Sequence, residues 1–334
     1  MKKVFFVYEP TTDPYGGVNS FNRALRKAMR RMPELGFEPA QAISQANLVF
    51  LSAASRGPGY SGRDRHIASW QLRNLVNGRF LFDPRGAFSH SGTNTLPLVH
   101  RLDGLTARYG RPEGETYDDL QKELNRLAAR TVFQSQFCLD SFRNGAAGPQ
   151  DTIILNGVDG DLFPTRPRHS SSSVLKLISA SWSDNPAKGH NASALLSELP
   201  GVHMTFMGRW PETLDKKNVH IIPPQRQEVM SSYYHQADGF VHMASNDPSP
   251  NVVTEALATG LPVLYLDSGG TREIIRGTQF GVPIQKIALS DLQAGVNILT
   301  SRLNDLQEVV MAHRQNFLIE HSYHQYAAAF RSLV

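Results

Sequence analysis

The chain has 334 residues, of which 40% are hydrophobic and 19% are charged, and its formal net charge is +4. This length exceeds that of one ordinary compact domain and suits two, and no apolar stretch reaches the ~20 residues that a membrane-spanning helix needs. The mildly basic balance favours anionic ligands such as phosphates, but neither the charge nor any motif indicates a nucleic-acid partner.

The composition and the N-terminal stretch predict a cytoplasmic location. The sequence has one cysteine, Cys138, which cannot form an internal disulfide or a multi-thiolate zinc site, and we expect it to be a small buried apolar residue. The apolar run in MKKVFFVYEP stops at Tyr8, too soon for a signal peptide. We therefore predict that this run is a first buried strand.

In the first half of the chain, short β-rich runs alternate with helical patterns. Strands are predicted at 3–8, 46–52, 80–83, 96–103 and 131–135. A loop that leads into a helix is predicted over 16–32, and further helices at 66–77, 115–129 and 136–143. The strands are continuous apolar runs, which are typical of a parallel sheet covered by helices on both faces.

The composition shifts near 156–173, where NGVDGDLFPTRPRHSSSS is rich in Gly, Pro, Ser and charge, as in a linker. The alternation of strands and helices then restarts. Strands are predicted at 174–181, 202–208, 219–223, 239–244 and 262–267, and helices at 191–198, 225–236, 251–259, 270–276 and 289–302. The sequence therefore predicts an α/β protein with two doubly wound domains.

We place the domain boundaries at these shifts of pattern. The predictions are an N-terminal domain over 1–160, a linker over 161–173, a second domain over 174–315, and a C-terminal helical segment over 316–334 that could pack back on the N-terminal domain. Ligands of doubly wound sheets bind beyond the carboxyl ends of the strands. Two such domains that face one another would form a cleft there.

The stretch NDPSPNVVTEALATGLPV, over 246–263, has two carboxylates, Asp247 and Glu255, on either side of a predicted helix start. Pro250 suits a first helical turn and Gly260 a helix end. The free N–H groups at such a start can bind an anion, and the acids could accept hydrogen bonds from the sugars of a nucleotide-sugar. Alternatively, Asp247 only favours the helix dipole and Glu255 faces solvent; the local pattern leaves both interpretations open.

The Asp-x7-Glu spacing, followed by ALATGLPVL and GGTREII, resembles the signature of retaining glycosyltransferases of family 4, the glycosyltransferase group 1 type. The family usually has Glu where this chain has Asp247. IILNGVDGDLF resembles its inter-domain segment, AKGH its phosphate-lysine motif and GGVNSF its N-terminal glycine loop. The resemblance implies the GT-B fold, in which two Rossmann-like domains face a central cleft.

The resemblance also implies how the diphosphate of the donor is bound. Lys188 would neutralise the diphosphate, and Gly189 would let the backbone come close, although a solvated surface lysine is the alternative. The family commonly has an arginine at the position of Trp182. Arg209, Arg101 or Arg272 could substitute, and no spacing decides among them.

In the first half, the resemblance assigns donor contacts to a glycine loop and a histidine. Gly16 and Gly17 follow the first strand and could bring backbone N–H groups to a phosphate, or form an ordinary turn. His100 ends the strand in LPLVHRLDG; the resemblance implies that it lies against the donor sugar, whereas a lone histidine there is more often structural. Asp103 and Arg101 are candidates for acceptor binding, and Asp103 could equally cap a turn.

Two further patterns concern a metal and a membrane. DGD, at 159–161, could suggest a cation site, but its place in the linker predicts a turn, and we expect no metal. The predicted helix over 18–32 has basic residues beside its apolar positions. These form either a solvated face or a patch for anionic lipid, which would give peripheral contact with a membrane.

The sequence thus predicts a retaining, metal-independent glycosyltransferase of hexosyltransferase type without a cofactor. Its donor would be a nucleotide-sugar such as a UDP- or GDP-sugar, bound by the domain over 174–315. Its acceptor would be a glycan, a lipid or a small molecule, bound by the domain over 1–160. The resemblance implies front-face attack, with Asp247 on the sugar hydroxyls and Glu255 on the ribose. The diphosphate would meet Lys188, Gly17 and the turn formed by Ser249, Pro250, Asn251 and Val252.

Two alternatives stay open. A non-hydrolysing nucleotide-sugar epimerase has the same architecture but needs acid and base groups around C2 of the sugar. A non-catalytic nucleotide-sugar binder would explain why Trp182 stands where the clamp arginine is expected.

Overall fold

The computed structural model describes residues 1–8, 10, 17–52, 69–77, 95–102, 104–109, 114–165 and 173–334. Contacts divide the chain into a first unit, residues 1–155 with 319–334, and a second unit, residues 156–318. The sequence predicted boundaries at 160 and 315. The assignment of an acceptor role to one half and a nucleotide-sugar role to the other stays a prediction.

The first unit is built on a six-stranded sheet with the order β2-β1-β3-β4-β5-β6, and all its paired strands are parallel. Its strands are β1 Lys2–Phe6, β2 Phe37–Pro39, β3 Leu48–Ser52, β4 Leu98–Leu102, β5 Arg130–Phe133 and β6 Asp151–Ile153. Every residue of β3 and β4 is buried, as expected of parallel strands covered on both faces. The strand predicted at 80–83 lies outside the described residues.

Four helices of this unit follow its strands: α1 Gly17–Arg31, α2 Ser69–Val76, α3 Gly114–Asn125 and α4 Gln136–Arg143. Helix α1 buries Phe21, Leu25 and Met29 at helical spacing. Helix α4 begins at Ser135, whose hydroxyl accepts a hydrogen bond from the Cys138 N–H at 3.1 Å. The Cys138 side chain is fully buried, so the prediction of a buried apolar cysteine is confirmed.

The second unit has a six-stranded parallel sheet with the order β12-β11-β10-β7-β8-β9. Its strands are β7 Leu175–Ser181, β8 Val202–Gly208, β9 His220–Ile222, β10 Gly239–His242, β11 Val263–Leu266 and β12 Gly281–Ile284. The chain builds outward from β7 through β8 and β9, and then returns to the other side of β7 with β10. The strand order therefore reverses between β7 and β10, and ligands of open α/β sheets bind at such a switch point.

Helices cover both faces of this sheet: α5 His190–Leu196, α6 Gln227–Tyr234, α7 Asn251–Ala258, α8 Thr271–Ile275, α9 Leu289–Ser301 and α10 Leu303–Ala312. Adjacent residues of β10 belong to different apolar clusters. Phe240 packs with Tyr234 and α7, and Val241 packs with Leu264 and α9. This alternation is the two-sided burial that the apolar strands predicted.

The last helix, α11 Ile319–Arg331, belongs to the first unit. Its Tyr326 and Phe330 pack against α1 and the sheet, with 5.6 Å between the ring centroids of Phe21 and Tyr326. Ser322 Oγ donates to the Leu155 carbonyl at 2.8 Å. The C-terminal segment is therefore tied to the core of the first unit.

The sequence analysis missed strands β2, β6 and β12, as well as helix α10, whereas the predicted end of the preceding helix at 302 agrees with the end of α9. Strands β2 and β6 have three residues each, too few to produce a recognisable period. Strands β2 and β12 contain Pro39 and Pro283 and lie at the edges of their sheets. Proline is tolerated at an edge, but it obscures the strand pattern in the sequence.

Candidate functional site

The candidate site lies at the switch point of the second unit, where the loops that follow β7 and β10 meet. The first loop contains a short 3₁₀ turn, Pro186–Lys188, capped by Asn185, whose Oδ1 accepts from the Ala187 N–H at 2.9 Å. The Ser245 N–H of the second loop donates to the Ala187 carbonyl at 2.8 Å. The two loops are thus joined through their backbones.

Gly189 allows this close approach. Its φ is +75°, a conformation that favours glycine, and a Cβ at this position would overlap the Met243 carbonyl. The glycine of the AKGH motif is therefore required by the packing of two loops. This is a structural reason for the motif, in addition to the ligand contact that the resemblance implies.

Lys188 and Asp247 form an ion pair across the two loops, with 2.7 Å between Nζ and Oδ2. Asp247 is 7% exposed. Its burial alone would raise the pKa of the carboxyl, but the positive charge and hydrogen bond of Lys188 outweigh burial, and the pKa is below its ordinary value. Asp247 is therefore a charged acceptor at neutral pH, and Lys188 is not a freely solvated lysine.

The GGTREII motif shapes the turn that holds Asp247. Gly269 has φ +68°, and a Cβ there would overlap the backbone of Asp247. The Gly270 N–H donates to the Asp247 carbonyl at 2.8 Å. Asn246, with φ +56°, donates its N–H to Ser268 Oγ at 3.0 Å. The glycine pair thus supports the backbone of the first acid from the neighbouring strand's loop.

Helix α7 begins four residues after Asp247, at Asn251, with Pro250 in the cap position. The Ser249 N–H points to Asp247 Oδ1 at 3.4 Å. Among the described residues the Val252 N–H has no acceptor. A first-turn N–H group without a helical partner can bind an anion, and the helix dipole favours negative charge there.

Asn156 supports this turn, and the sequence analysis did not identify it. Its Nδ2 donates to Ser249 Oγ at 3.2 Å and to Asn251 Oδ1 at 3.0 Å. Asn156 begins NGVDGDLF, which resembles the inter-domain segment of the family. The sequence shows only an asparagine at the start of that motif. No local pattern links it to partners more than ninety positions away.

Glu255, one turn into α7, is buried and 4% exposed, so the alternative of a solvent-facing glutamate is wrong. Its Oε1 accepts from Gln227 Nε2 at 2.8 Å. Its Oε2 makes no hydrogen bond of good geometry with a described residue. Burial raises the pKa of the carboxyl to about 7, although the hydrogen bond from Gln227 and the buried Tyr234 hydroxyl, which lies close to the carboxylate, lower it in part. A buried carboxylate oxygen without a well-formed hydrogen bond is a candidate ligand contact.

His242, the last residue of β10, lies beneath the loop of Asp247 and was also missed. It is buried, and no described residue hydrogen-bonds its Nε2. Burial lowers the pKa of the imidazole to about 4, although the charge of Asp247 opposes this shift. A neutral imidazole therefore lies near the ion pair, and the apolar run GFVHMA gave no reason to single it out.

Trp182 and Arg209 are the first residues after the neighbouring strands β7 and β8. The guanidinium carbon of Arg209 lies 5.0 Å from the ring centroid of Trp182. The Arg209 N–H donates to the Ser181 carbonyl at 3.1 Å, and a Cβ at Gly208 would overlap that carbonyl. The two strand ends are therefore held close together, with the arginine over the tryptophan.

The other two candidate arginines are engaged elsewhere. Arg272 pairs with Asp267, which also accepts from Gln285 Nε2 at 3.2 Å. Arg101 belongs to the first unit, where it is fully buried, lies 4.0 Å from the ring centroid of Phe21 and donates to Ser52 Oγ at 3.0 Å.

The first unit places His100 in its interior. The prediction that His100 ends a strand is wrong, because β4 continues to Leu102. The imidazole is fully buried, and its Nδ1 lies 3.2 Å from Asn125 Nδ2. Burial, and then the charge of Arg143, lowers the pKa of His100 to about 3. This position supports the structural alternative and gives no support to contact with a donor sugar.

The other candidates in the first unit are the two glycines of the predicted glycine loop and Asp103. Gly16 and Asp103 lie outside the described residues, and Gly17 is the exposed first residue of α1. The buried position of Arg101 gives no support to acceptor binding.

The DGD sequence forms the predicted turn. Asp159 Oδ1 accepts from the Asp161 N–H at 3.1 Å, and Arg314 Nη2 donates to the Gly160 carbonyl at 3.2 Å. Among the described residues there is no group of three or more His, Cys, Asp or Glu side chains that could hold a metal ion.

The basic residues of α1 do not all face solvent. Arg26 is buried, with its guanidinium carbon 5.4 Å from the ring centroid of Phe6, whereas Arg30 and Arg31 are exposed. The basic surface of this helix is therefore smaller than its sequence suggests. In the part of the chain that the structure describes, every helix is too short or too polar to cross a membrane.

Residues 209–297 match the family described as Glycosyl transferases group 1. A glycogen synthase from Mycobacterium tuberculosis is 23% identical over 257 residues, which cover 70% of this chain and 62% of that protein. The match thus spans less than two thirds of the relative's length.

Solved structures match over the whole chain. A sucrose-phosphate synthase from Thermosynechococcus elongatus has a TM-score of 0.70 at 14% identity, covering 100% of this chain and 99% of its own. The protein HepE from Anabaena, in complex with UDP and glucose, has a TM-score of 0.67 at 15% identity and is covered completely, as is this chain. The predicted two-domain GT-B fold and the resemblance to group 1 glycosyltransferases are confirmed; the family number 4 is not tested.

Proposed function

We propose that this chain, which has the GT-B fold and carries a domain of the glycosyl transferases group 1 over residues 209–297, is a retaining glycosyltransferase that uses a nucleotide-sugar donor. The single observation that carries the proposal is the pairing of Lys188 with Asp247 at the switch point, beside the start of α7. A cation, a charged acid and a helix N-terminus together suit a ligand that has both phosphates and hydroxyls.

Each part of the donor has a counterpart in this group of residues. The diphosphate meets Lys188 and the N–H groups of the turn at 249–252, which neutralise the charge that develops as the sugar leaves. Asp247, kept ionised by Lys188, accepts hydrogen bonds from the sugar hydroxyls. Glu255 Oε2, which makes no hydrogen bond of good geometry with a described residue, accepts from the ribose of the nucleotide.

In the proposed reaction, the bond between the anomeric carbon and the diphosphate oxygen breaks while the acceptor oxygen attacks from the same face. Because the attack and the departure share one face, the configuration is retained. The acceptor hydroxyl loses its proton to the departing phosphate oxygen. In this scheme Asp247 accepts hydrogen bonds from the sugar and no side chain acts as a nucleophile, as the family resemblance implies. The residues of the chain orient the donor and stabilise the leaving diphosphate.

The first donor to test is UDP-glucose, because structures with TM-scores of 0.67 and 0.66 to this chain are complexes of the HepE protein with UDP and glucose and with UDP-glucose. We propose a glycan or a lipid-linked glycan as the acceptor, with peripheral membrane contact in the second case. The residues that bind the acceptor are not assigned, since Arg101 is buried and Asp103 lies outside the described residues.

The proposal is tested by calorimetric titration with UDP, GDP, UDP-glucose and GDP-mannose, followed by assays of nucleotide release with glycan acceptors. We expect one nucleotide series to bind, and Glu255→Ala to weaken its binding by up to about tenfold, the value of a lost hydrogen bond. Wild-type affinity in Glu255→Ala would refute the ribose contact. A new sugar isomer from donor alone would indicate an epimerase, and binding without release to any acceptor would indicate a binding protein.

A further inference from the structure

On the basis of the proposed function, we infer that Arg209, held over the ring of Trp182, is the second cation that binds the diphosphate of the donor. Trp182 itself cannot supply this charge. Arg209 is brought to the same sheet edge by the neighbouring strand, so the chain replaces a clamp arginine with a stacked pair of residues.

The charge balance at the switch point requires a second cation. The charge of Lys188 is already compensated by Asp247 at 2.7 Å, so this pair contributes little net positive charge to a diphosphate that carries at least two negative charges. A helix N-terminus contributes about half a unit charge. An additional cation near β7 is therefore needed to bind the diphosphate tightly and to stabilise it as a leaving group.

Arg209 satisfies the positional requirement. It follows β8, directly beside β7, and its backbone N–H is bonded to Ser181, the residue before Trp182. It is exposed, and its guanidinium makes no hydrogen bond or ion pair with another described residue. Stacking on an aromatic face orients a guanidinium and leaves its N–H edge available for bidentate contact with phosphate.

The other two candidate arginines do not meet this positional requirement. Arg272 is paired with Asp267, and Arg101 is fully buried in the first unit over Phe21. Of the three arginines that could replace the expected clamp residue, Arg209 alone combines the edge of this sheet with a guanidinium that has no carboxylate partner among the described residues.

The test is a set of calorimetric titrations with UDP and with uridine, or with GDP and guanosine if the wild-type protein binds that series. The variants are Arg209→Gln, Arg209→Lys and Trp182→Leu, with Lys188→Gln as a reference for loss of a phosphate cation. Arg30→Gln, at the exposed end of α1, is a matched control for the change in net charge. Thermal unfolding of each variant checks that it folds.

We expect Arg209→Gln to weaken diphosphate binding by about tenfold or more while nucleoside binding stays within about twofold. Arg209→Lys and Trp182→Leu should give smaller losses, because lysine keeps the charge without the fork and the leucine removes only the orienting ring. The dependence of UDP affinity on salt concentration should also be less steep in Arg209→Gln than in Arg30→Gln.

The outcomes distinguish a failure of the proposed role of Arg209 from a failure of the proposed glycosyltransferase function. Diphosphate affinity in Arg209→Gln within about twofold of wild type, alongside a clear loss in Lys188→Gln, would overturn the role of Arg209 and leave the proposed function intact. Equal losses of nucleoside and diphosphate affinity would likewise overturn it, since they would indicate a nucleobase contact. A wild-type protein that binds neither nucleotide series would overturn both.

Discussion

In the described residues both units are built on a six-stranded parallel sheet whose first strand is internal, but the polar residues considered for a site lie at different positions along the strands. In the second unit, Lys188, Asp247 and Glu255 follow the carboxyl ends of strands and gather around the switch point. In the first unit, His100 and Arg101 lie within β4 and are fully buried. Polar residues past a strand end are available to a ligand, whereas those within a strand are part of the interior.

The largest effect is expected from Gly189→Ala, which tests whether the two switch-point loops must touch. The new Cβ would overlap the Met243 carbonyl, and φ at this position is +75°. We expect the free energy of unfolding to fall by about 3 kcal/mol or more, from backbone strain together with the displaced loop. Urea denaturation followed by circular dichroism measures this.

Gly277→Ala is the matched control, because Gly277 has φ +64° but a Cβ added there would meet no atom within 4 Å. It should cost only about 1 kcal/mol, the strain of the backbone alone. Equal losses in the two variants would mean that the loop contact contributes nothing to stability.

The next effect concerns Glu255, whose buried carboxyl has its pKa raised from 4.5 to about 7. The folded state keeps this proton up to about pH 7, whereas the unfolded chain loses it near pH 4.5. The contribution of the protonated group is therefore fully present below pH 4.5 and is lost as the pH rises towards 7, by about 3 kcal/mol in all.

Glu255→Gln cannot titrate and should lack this loss. Urea denaturation of wild type and variant at pH 4.5, 6 and 7.5 should therefore give a difference in unfolding free energy that grows in favour of the variant as the pH rises. A difference that stays constant over this range would mean that Glu255 does not keep its proton in the folded state.

His100, in the first unit, should give the unfolding free energy a pH dependence of the opposite sign. Burial lowers the pKa of His100 to about 3 from 6.5, so the folded state resists protonation and loses stability as the pH falls below 6.5. Between pH 6.5 and 5 this group accounts for about 2 kcal/mol. His100→Phe should reduce the acid-induced loss of stability in urea denaturation.

The same variant checks the assignment of His100 to the interior. If His100→Phe left the acid dependence unchanged and instead lowered donor affinity in a calorimetric titration, the sugar-binding role implied by the resemblance would be restored. The contrast between the two units would then be incorrect for β4.

The smallest effect is expected from Asn156→Ala, which removes the hydrogen bonds to Ser249 Oγ and Asn251 Oδ1. We expect a loss of about 1–2 kcal/mol in unfolding free energy, and a several-fold loss of donor affinity because the turn at the start of α7 is less well held. Asn304→Ala, at an exposed position of α10, is the control and should change neither quantity.

Much of the second unit could be predicted from the sequence, because its strands, glycines and acids lie close together along the chain. The Asp247 to Glu255 spacing and the Lys188-Gly189 pair identified residues that the fold brings to one sheet edge. The bracing amide of Asn156 could not be found in this way, since its partners are more than ninety residues away and no local pattern links them.

The sequence analysis did not recognise that His100 and Arg101 lie inside a buried strand. His100 was predicted to end its strand, yet β4 continues to Leu102 and buries both His100 and the arginine that follows it. Their burial depends on Asn125 and Ser52 from other elements, which satisfy their polar atoms. Sequence pattern alone does not reveal such tertiary partners.

An anionic ligand at this sheet edge would compete with Asp247 for the ammonium of Lys188. A lone phosphate that paired with Lys188 would leave the buried carboxylate of Asp247 without its counter-ion. A molecule that offers an anion to one and hydroxyl groups to the other compensates both at once. We therefore expect a complete donor, which offers both groups, to bind more tightly than the free nucleotide diphosphate.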